Sequence, residues 1–491
     1  MGHKKLSELG LAATNGRDVT ICGLAVDSRA VKEGFLFAAL PGTQVHGGAF
    51  VQYALRMGAV AILTDAQGAR IAGPYLAEAE VALLICENPR QVLAYTAALW
   101  FGAQPETMIA VTGTNGKTSV SSFTRMIWQE LGLRAINLGT TGVEGDWSAP
   151  LAHTTPEPIT LHRTLAAAAE AGVSHAAMEA SSHGLAQFRL DGVRLAAAGF
   201  SNFTQDHLDY HATFEAYFEA KAALFGRVLS DEGVAVINID DARGADMAAI
   251  AQAREIEVMA VGRMEGADIC LTAQRFHSTG QEVFFRHNDK GYRADLKLIG
   301  GFQAENVLLA AGLVIAAGEA PQAVFETLPH MHTVRGRMQL AATRESGAAV
   351  FVDYAHTPDA IATALKALRP HVAGRIIAII GAGGDRDRSK RPLMGKAAAE
   401  NADIVIVTDD NPRSEAPEDI RAAVMAGCPA AYEVGDRAEA ILRGVDLLQP
   451  GDALLIAGKG HETGQVVGDD VLPFDDVEQA SVAVAALEGR I

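Results

Sequence analysis

The run Met108-Ile109-Ala110-Val111-Thr112 is rich in β-formers and leads directly into Gly113-Thr114-Asn115-Gly116-Lys117-Thr118-Ser119. A helical pattern follows to about Leu131. Strand, glycine-rich turn, lysine, threonine and helix are the parts of a phosphate-binding loop. Gly113 and Gly116 let the backbone approach an anion, and a helix start aims free N–H groups and partial positive charge at it. Lys117 has the reach for β- and γ-phosphates, and the Thr118 hydroxyl suits Mg2+. The first glycine of G-x-x-x-x-G-K would fall on Val111, whereas here a glycine stands at 113. A bare Gly-Lys-Thr also marks ordinary helix starts, so the flanking strand and helix carry the nucleotide-binding reading. The loop serves phosphoryl chemistry without naming an acceptor.

More polar groups stand just after apolar strands. Glu179 follows Ala176–Met178 and opens Ala180-Ser181-Ser182-His183-Gly184; Asp206, His207 and Asp209 follow Ala196–Phe200; Lys221 lies in the helical pattern Phe214–Phe225. Glu and His beside a phosphate loop suit Mg2+ bridging phosphates. Singly, each is an ordinary hydrogen-bonded or solvated residue, so the reading rests on the set. Farther along, three strands end in polar or glycine-rich loops: Ile376–Ile380 into Gly381–Arg386, Ile404–Thr408 into Asp409-Asp410-Asn411-Pro412-Arg413, and Ala453–Ala457 into Gly458-Lys459-Gly460-His461-Glu462. The carboxyl ends of strands form the ligand crevice of an open parallel sheet.

Short Val/Ile/Leu runs alternate with Ala-rich helical stretches, which implies α/β architecture with mostly parallel sheets. At 491 residues the chain exceeds one comfortable core. The punctuation gives three units: 1–104, ending at the linker Phe101–Pro105; 105–335, carrying the phosphate loop; and 336–491, starting after His332-Thr333-Val334-Arg335. Within the first, Val19–Val26 and Ala59–Leu63 read as strands around the loop Pro41–Gly48. A net charge of −18 argues against a nucleic-acid groove. Cys22, Cys86, Cys270 and Cys428 are far apart, so reduced thiols are expected. The N-terminus lacks a signal-peptide apolar region, and no apolar run reaches the ~20 residues of a membrane span. The expected compartment is the cytoplasm.

Four stretches, Thr112–Thr118, Glu179–Gly184, Asn202–His211 and Asp353-Tyr354-Ala355-His356-Thr357-Pro358, resemble the Mur ligases, and the resemblance covers essentially the whole chain. It implies a small N-terminal α/β UDP-binding domain, a central P-loop ATPase domain and a C-terminal Rossmann-like domain that receives an amino acid. It implies ATP-dependent amide formation through an acyl phosphate, in cytoplasmic peptidoglycan precursor synthesis, by a monomer. Lys117, Glu179, His207 and Lys221 match catalytic positions. Thr118, Glu179, His207 and Lys221, the last as a carbamate, match the Mg2+ site. Gly113 to Ser119 (Thr114, Asn115, Gly116, Lys117 and Thr118 between them), with Asn306, Arg337 and Asp353, match the ATP contacts. Val26, Ser28, Thr43, Gln44, Val45, Thr154, Thr155, Ser181, Gln187 and Arg189 match the path of a UDP-muramoyl-dipeptide. His153 departs from the family pattern, where Asn is frequent.

The tetrapeptide Asp410-Asn411-Pro412-Arg413 resembles the loop of members that add meso-diaminopimelate. The physics agrees: a guanidinium at Arg413 gives the distal carboxylate a bidentate partner and repels a lysine ammonium. Arg386 matches a second carboxylate contact, and Gly458 and Glu462 match groups at the ammonium end. Two alternatives stand beside this one. A lysine-adding member is disfavoured by Arg413, and a P-loop ATPase switch leaves Arg386, Asp410–Arg413 and Glu462 without a role.

Overall fold

A computed structural model describes residues 2–42, 44–77, 79–204, 210–277 and 279–490. Three sheets follow one another along the chain. The first has four parallel strands in sequence order, Gly23–Ala25, Phe35–Ala38, Ala61–Thr64 and Ala82–Ile85. Alternation assigns its two faces: Leu36 and Ala38 face one apolar layer, Phe37 and Ala39 the other. The sequence run Val19–Val26 is not one strand. Thr20–Ile21 pairs with Lys4–Lys5, and Gly23–Ala25 joins the four-stranded sheet. The switch falls at Cys22, whose N–H donates to Gly34 O at 2.9 Å. Phe35–Ala38 and Ala82–Ile85 carry no turn signal strong enough to set them apart by pattern.

The central sheet has ten strands, seven of them joined side by side by parallel pairing. Thr107–Thr112 lies between His175–Glu179 and Ala197–Phe200, each parallel to it. Both sheet faces are covered: Ile109 and Val111 pack into one apolar layer, Met108 and Ala110 into the other. That burial explains the near-continuous hydrophobic runs of these strands. Three antiparallel strands close the edges: Gly142–Gly145 at one, and Gly280–His287 and Lys290–Leu296 at the other.

The third sheet has the order Gln339–Thr343, Ala349–Asp353, Ala453–Ala457, Ile376–Ile380, Ile404–Val407 and Tyr432–Glu433, parallel except for its first strand. The expected strands at 376, 404 and 453 are present and adjacent, so their terminal loops share one edge. Helices cover both faces, with Ile376, Ala378 and Ile380 in one layer and Ile377 and Ile379 in the other. Among the described residues no helix is long and apolar enough to cross a membrane.

Candidate active site

Strand Thr107–Thr112 ends at Gly113 and helix Lys117–Glu130 begins after Gly116. Gly113 has φ +150° and Gly116 φ +85°, and both are tightly enclosed. A Cβ on Gly113 would fall 2.0 Å from Ser201 Oγ, and one on Gly116 2.7 Å from Asn306 Oδ1. Only glycine fits both the backbone angles and the space. The loop is braced from the neighbouring strand end: Ser201 Oγ donates to Asn115 O at 2.6 Å, and Asn115 N donates to Asn202 Oδ1 at 2.9 Å.

Three residues meet at the start of the helix. The Thr118 hydroxyl donates to Glu179 Oε1 at 3.0 Å and accepts from Arg337 Nη2 at 3.1 Å. Glu179 is 1% exposed and also accepts from Thr140 N at 2.9 Å. A guanidinium, a hydroxyl and a buried carboxylate therefore form a relay from the third sheet's entry segment to the phosphate loop. Lys117 Nζ donates to Gly113 O at 2.8 Å and Thr114 O at 2.9 Å, and the buried Lys221 Nζ donates to Gly113 O at 2.7 Å. Two ammonium groups thus converge on the carbonyl that opens the loop.

These side chains line a cleft of about 500 Å3 bounded by the central and third sheets. Thr114, Asn115, Gly116, Lys117, Thr118, Ser119, Glu179, Lys221, Asn306, Arg337 and Asp353 all line it. Gly113 sits behind the lining as the pivot of the loop. Asp353 accepts from Met338 N at 2.7 Å and Ala355 N at 2.9 Å. Desolvation pushes its carboxyl above the usual range, against the pull of Arg337. Arg337 also lies over the Tyr354 ring, 4.6 Å from its centroid. The far wall is apolar, with Leu271, Phe302, Leu309 and Ala364, which suits a flat aromatic base. His207, with Asp206 and Asp209, lies outside the described residues.

A smaller cleft joins the first and central sheets. It brings together Val26, Gln187 and Arg189 with Leu40, Arg90, Leu93, Glu157 and Pro158. Arg189 Nη2 donates to Gln187 Oε1 at 2.8 Å; desolvation, and then the neighbouring Arg90 cation, lower its pKa. Two guanidiniums so placed make an anion receptor. Ser28, Gln44 and Val45 do not line this cleft, and Thr43 lies outside the described residues. Val45 is 54% exposed. Thr154 and Ser181 line the larger cleft instead. Thr155 is buried, donating to Glu179 O at 2.9 Å and accepting from Ser181 N at 3.1 Å, so it ties two loops together.

Sequence reading missed Arg90 and Thr140. Arg90 did leave a signal: it sits in the first turn of helix Pro89–Phe101, where a cation opposes the helix dipole. Thr140 stands directly after strand Ala135–Gly139, the position from which Glu179 itself was selected.

The third sheet's edge carries a second polar constellation. Arg413 has φ +52°; its N–H donates to Val466 O at 3.1 Å and its Nη1 to Gly384 O at 2.9 Å. Arg386 Nη1 donates to Asp385 O at 3.0 Å. Among the described residues, every arginine after Gly336 except Arg337, Arg386 and Arg413 has a carboxylate within salt-bridge range. The three exceptions are the three that sequence reading placed against anionic ligands. Asn411, just before Pro412, donates through Nδ2 to Glu462 Oε2 at 2.9 Å. A Cβ on Gly458 would fall 2.4 Å from Asp410 Oδ2, so this glycine admits the carboxylate. Asp410, Asn411, Pro412, Arg413, Arg386, Gly458 and Glu462 therefore share one loop cluster.

The two constellations touch through glycines. A Cβ on Gly336 would fall 2.2 Å from His461 N, and one on Gly460 2.7 Å from Tyr354 Cβ. The His461 imidazole is pushed down to about 4 by desolvation, with the Arg337 and Arg335 cations adding to the shift.

Comparison with known proteins agrees with this geometry. Three family models match in order: Mur ligase family, catalytic domain, over residues 20–100; Mur ligase middle domain over 111–314; and Mur ligase, glutamate ligase domain, over 336–460. The chain is 49% identical over 470 residues to a UDP-N-acetylmuramoyl-L-alanyl-D-glutamate–2,6-diaminopimelate ligase of Bradyrhizobium diazoefficiens, covering 95% of each. It is 47% identical over 490 residues to the ligase of the same name from Brucella melitensis, covering 98% of each. A solved structure bearing that name superposes with a TM-score of 0.71 at 34% identity, covering 99% of this chain and 100% of the other.

Proposed function

The chain belongs to the Mur ligase family, and from that premise we propose that it adds meso-2,6-diaminopimelate to UDP-N-acetylmuramoyl-L-alanyl-D-glutamate at the expense of ATP. The ATP triphosphate lies along Gly113–Ser119, with its base against the apolar wall at Phe302 and Leu309. The UDP end of the acceptor engages the Arg90 and Arg189 pair, and the dipeptide runs past Thr154 and Ser181 to the phosphate loop.

The D-glutamate γ-carboxylate attacks the γ-phosphorus, ADP departs and an acyl phosphate forms. The amine of the incoming amino acid then attacks the acyl carbon, loses a proton, and expels inorganic phosphate. Lys117 and Arg337 oppose the charge spread over the transferring phosphoryl oxygens. Arg337 comes from the third unit yet reaches Thr118, so its placement ties phosphoryl transfer to the position of the amino-acid domain.

The polar set fits a divalent cation: Glu179 is a buried carboxylate and shares a hydrogen bond with a hydroxyl at the phosphate loop. Glu179 and the Thr118 hydroxyl would hold Mg2+, with Lys221 as a carbamate and His207 completing the set. The ion supplies charge neutralisation of the phosphates when bound. Carbamylation of Lys221 would replace a cation by an anion, which removes the conflict of an ammonium beside a metal.

One observation carries the choice of amino acid. Among the described residues Arg386 and Arg413 have no carboxylate within salt-bridge range, and their loop cluster also holds Asp410 and Glu462. Two guanidiniums and two carboxylates match a zwitterion with a carboxylate and an ammonium at its distal end. The test is Arg413→Ala. The variant should raise the KM for diaminopimelate roughly tenfold to a hundredfold, the worth of a charge-assisted hydrogen bond, and leave that for ATP near the wild-type value. Equal effects on both substrates would refute the assignment. We take the reaction to occur in the cytoplasm.

A further inference from the structure

Lys459 is fully buried, with a side-chain exposure of 0%. Its neighbours are Gly458, at φ +119°, and Gly460, at φ +55°, and both are buried with it. Its Nζ donates to Asn411 Oδ1 at 3.0 Å and to Glu462 Oε2 at 3.3 Å. An ammonium removed from water is retained only where anions and acceptors compensate it.

The hydrogen-bond inventory around it is directional. Asn411 Oδ1 accepts from both Lys459 Nζ and Val466 N, the latter at 2.9 Å. Two donors on one atom fix which end of the amide is oxygen, so Nδ2 must face Glu462. Glu462 Oε2 therefore accepts from both Asn411 Nδ2 and Lys459 Nζ. One oxygen of Glu462 is held from behind by two donors. The side chain remains 32% exposed, leaving Oε1 for the open face of the cluster.

We propose that Lys459 is a positioning residue that fixes Glu462 and Asn411 for recognition of the distal ammonium group of the diamino acid. This rests on the reading above that Glu462 meets that ammonium. Lys459 does not touch the substrate. It acts by holding one Glu462 oxygen so that the other presents a fixed acceptor. Without it, Glu462 is free to turn, and the selective contact loses its preorganisation.

The test compares two substrates in the full-length enzyme: meso-diaminopimelate and 2-aminopimelate, which has both carboxylates but lacks the distal amine. The readout is the ratio of their kcat/KM values, which is unaffected by any loss of folded protein. Lys459→Met should lower kcat/KM for diaminopimelate roughly tenfold to a hundredfold and change that for 2-aminopimelate far less, so the ratio collapses. Loss of activity on both substrates in equal proportion, or no loss on either, would overturn the proposal. Glu462→Gln tests the ammonium contact apart from the role of the lysine. If it leaves the ratio intact, the ammonium reading of Glu462 fails and the role of Lys459 falls with it. If Glu462→Gln collapses the ratio and Lys459→Met does not, the lysine proposal alone is wrong.

Discussion

The Arg437–Asp476 pair beneath the charged loop cluster offers a quantitative test of how the elements around the third sheet are held together. Both side chains are 0% exposed, and the contact is bidentate: Nε donates to Oδ1 at 2.8 Å and Nη2 to Oδ2 at 2.7 Å. Arg437 Nη2 also donates to Ala457 O at 3.0 Å, one residue before Gly458. Asp476→Asn keeps the shape but leaves a buried guanidinium without its anion. Breaking a buried pair from one side costs about 3–5 kcal/mol. For a unit of roughly 150 residues, each kcal/mol moves Tm by about 2–4 °C, so the unfolding transition of this unit should fall by about 6–20 °C. Calorimetry at neutral pH measures it. The double replacement Arg437→Met with Asp476→Leu removes both charges, and should recover much of the loss, because the desolvation of both ions disappears with them. A shift of under about 2 °C for Asp476→Asn, or a double variant less stable than the single one, would mean that the buried pair does not carry this stability.

Lys221→Ala should lose roughly a hundredfold or more in turnover and regain part of it when short carboxylates are added, as replacements for the carbamate; normal turnover by the variant would contradict the carbamate reading. His461 has a folded pKa of about 4, below the ordinary histidine value of 6.5. The unfolded chain binds the proton first, so its contribution to stability is present above pH ~6.5 and is lost as pH falls from there towards about 4. His461→Phe keeps the aromatic contact with Tyr354 and should flatten the acid limb of stability relative to wild type, measured by denaturant melts between pH 7 and pH 4.

The phosphate loop was legible because its requirements are local. Gly113 and Gly116 occupy backbone angles and spaces that other residues do not fit, and the strand and helix around them announce themselves by period and apolar content. The grouping of the charged loops at the third sheet's edge was legible for a related reason: three adjacent parallel strands end in charged turns, and a parallel sheet brings those turns together. What escaped depends on distant chain segments. Arg90 meets Arg189, about a hundred residues farther along, only when the first and central sheets pack. Ser28, Gln44 and Val45 matched a family pattern, but their side chains stay outside that cleft. Lys459 looks like a solvated lysine in a glycine-rich turn, and only the fold shows that it is buried against Asn411 and Glu462. The single strand expected over Val19–Val26 divides because two different partners claim its halves, a choice made by tertiary pairing and not by β-propensity.

In the function proposed here, ATP cleavage, the muramoyl-dipeptide and the amino acid belong to one reaction. Phosphate release from ATP, followed with UDP-N-acetylmuramoyl-L-alanyl-D-glutamate present and with or without meso-diaminopimelate, tests it most directly. Sustained release should require diaminopimelate and match the tripeptide product one for one. Release that proceeds at the same rate without the amino acid would contradict the account and favour a nucleotide-driven switch.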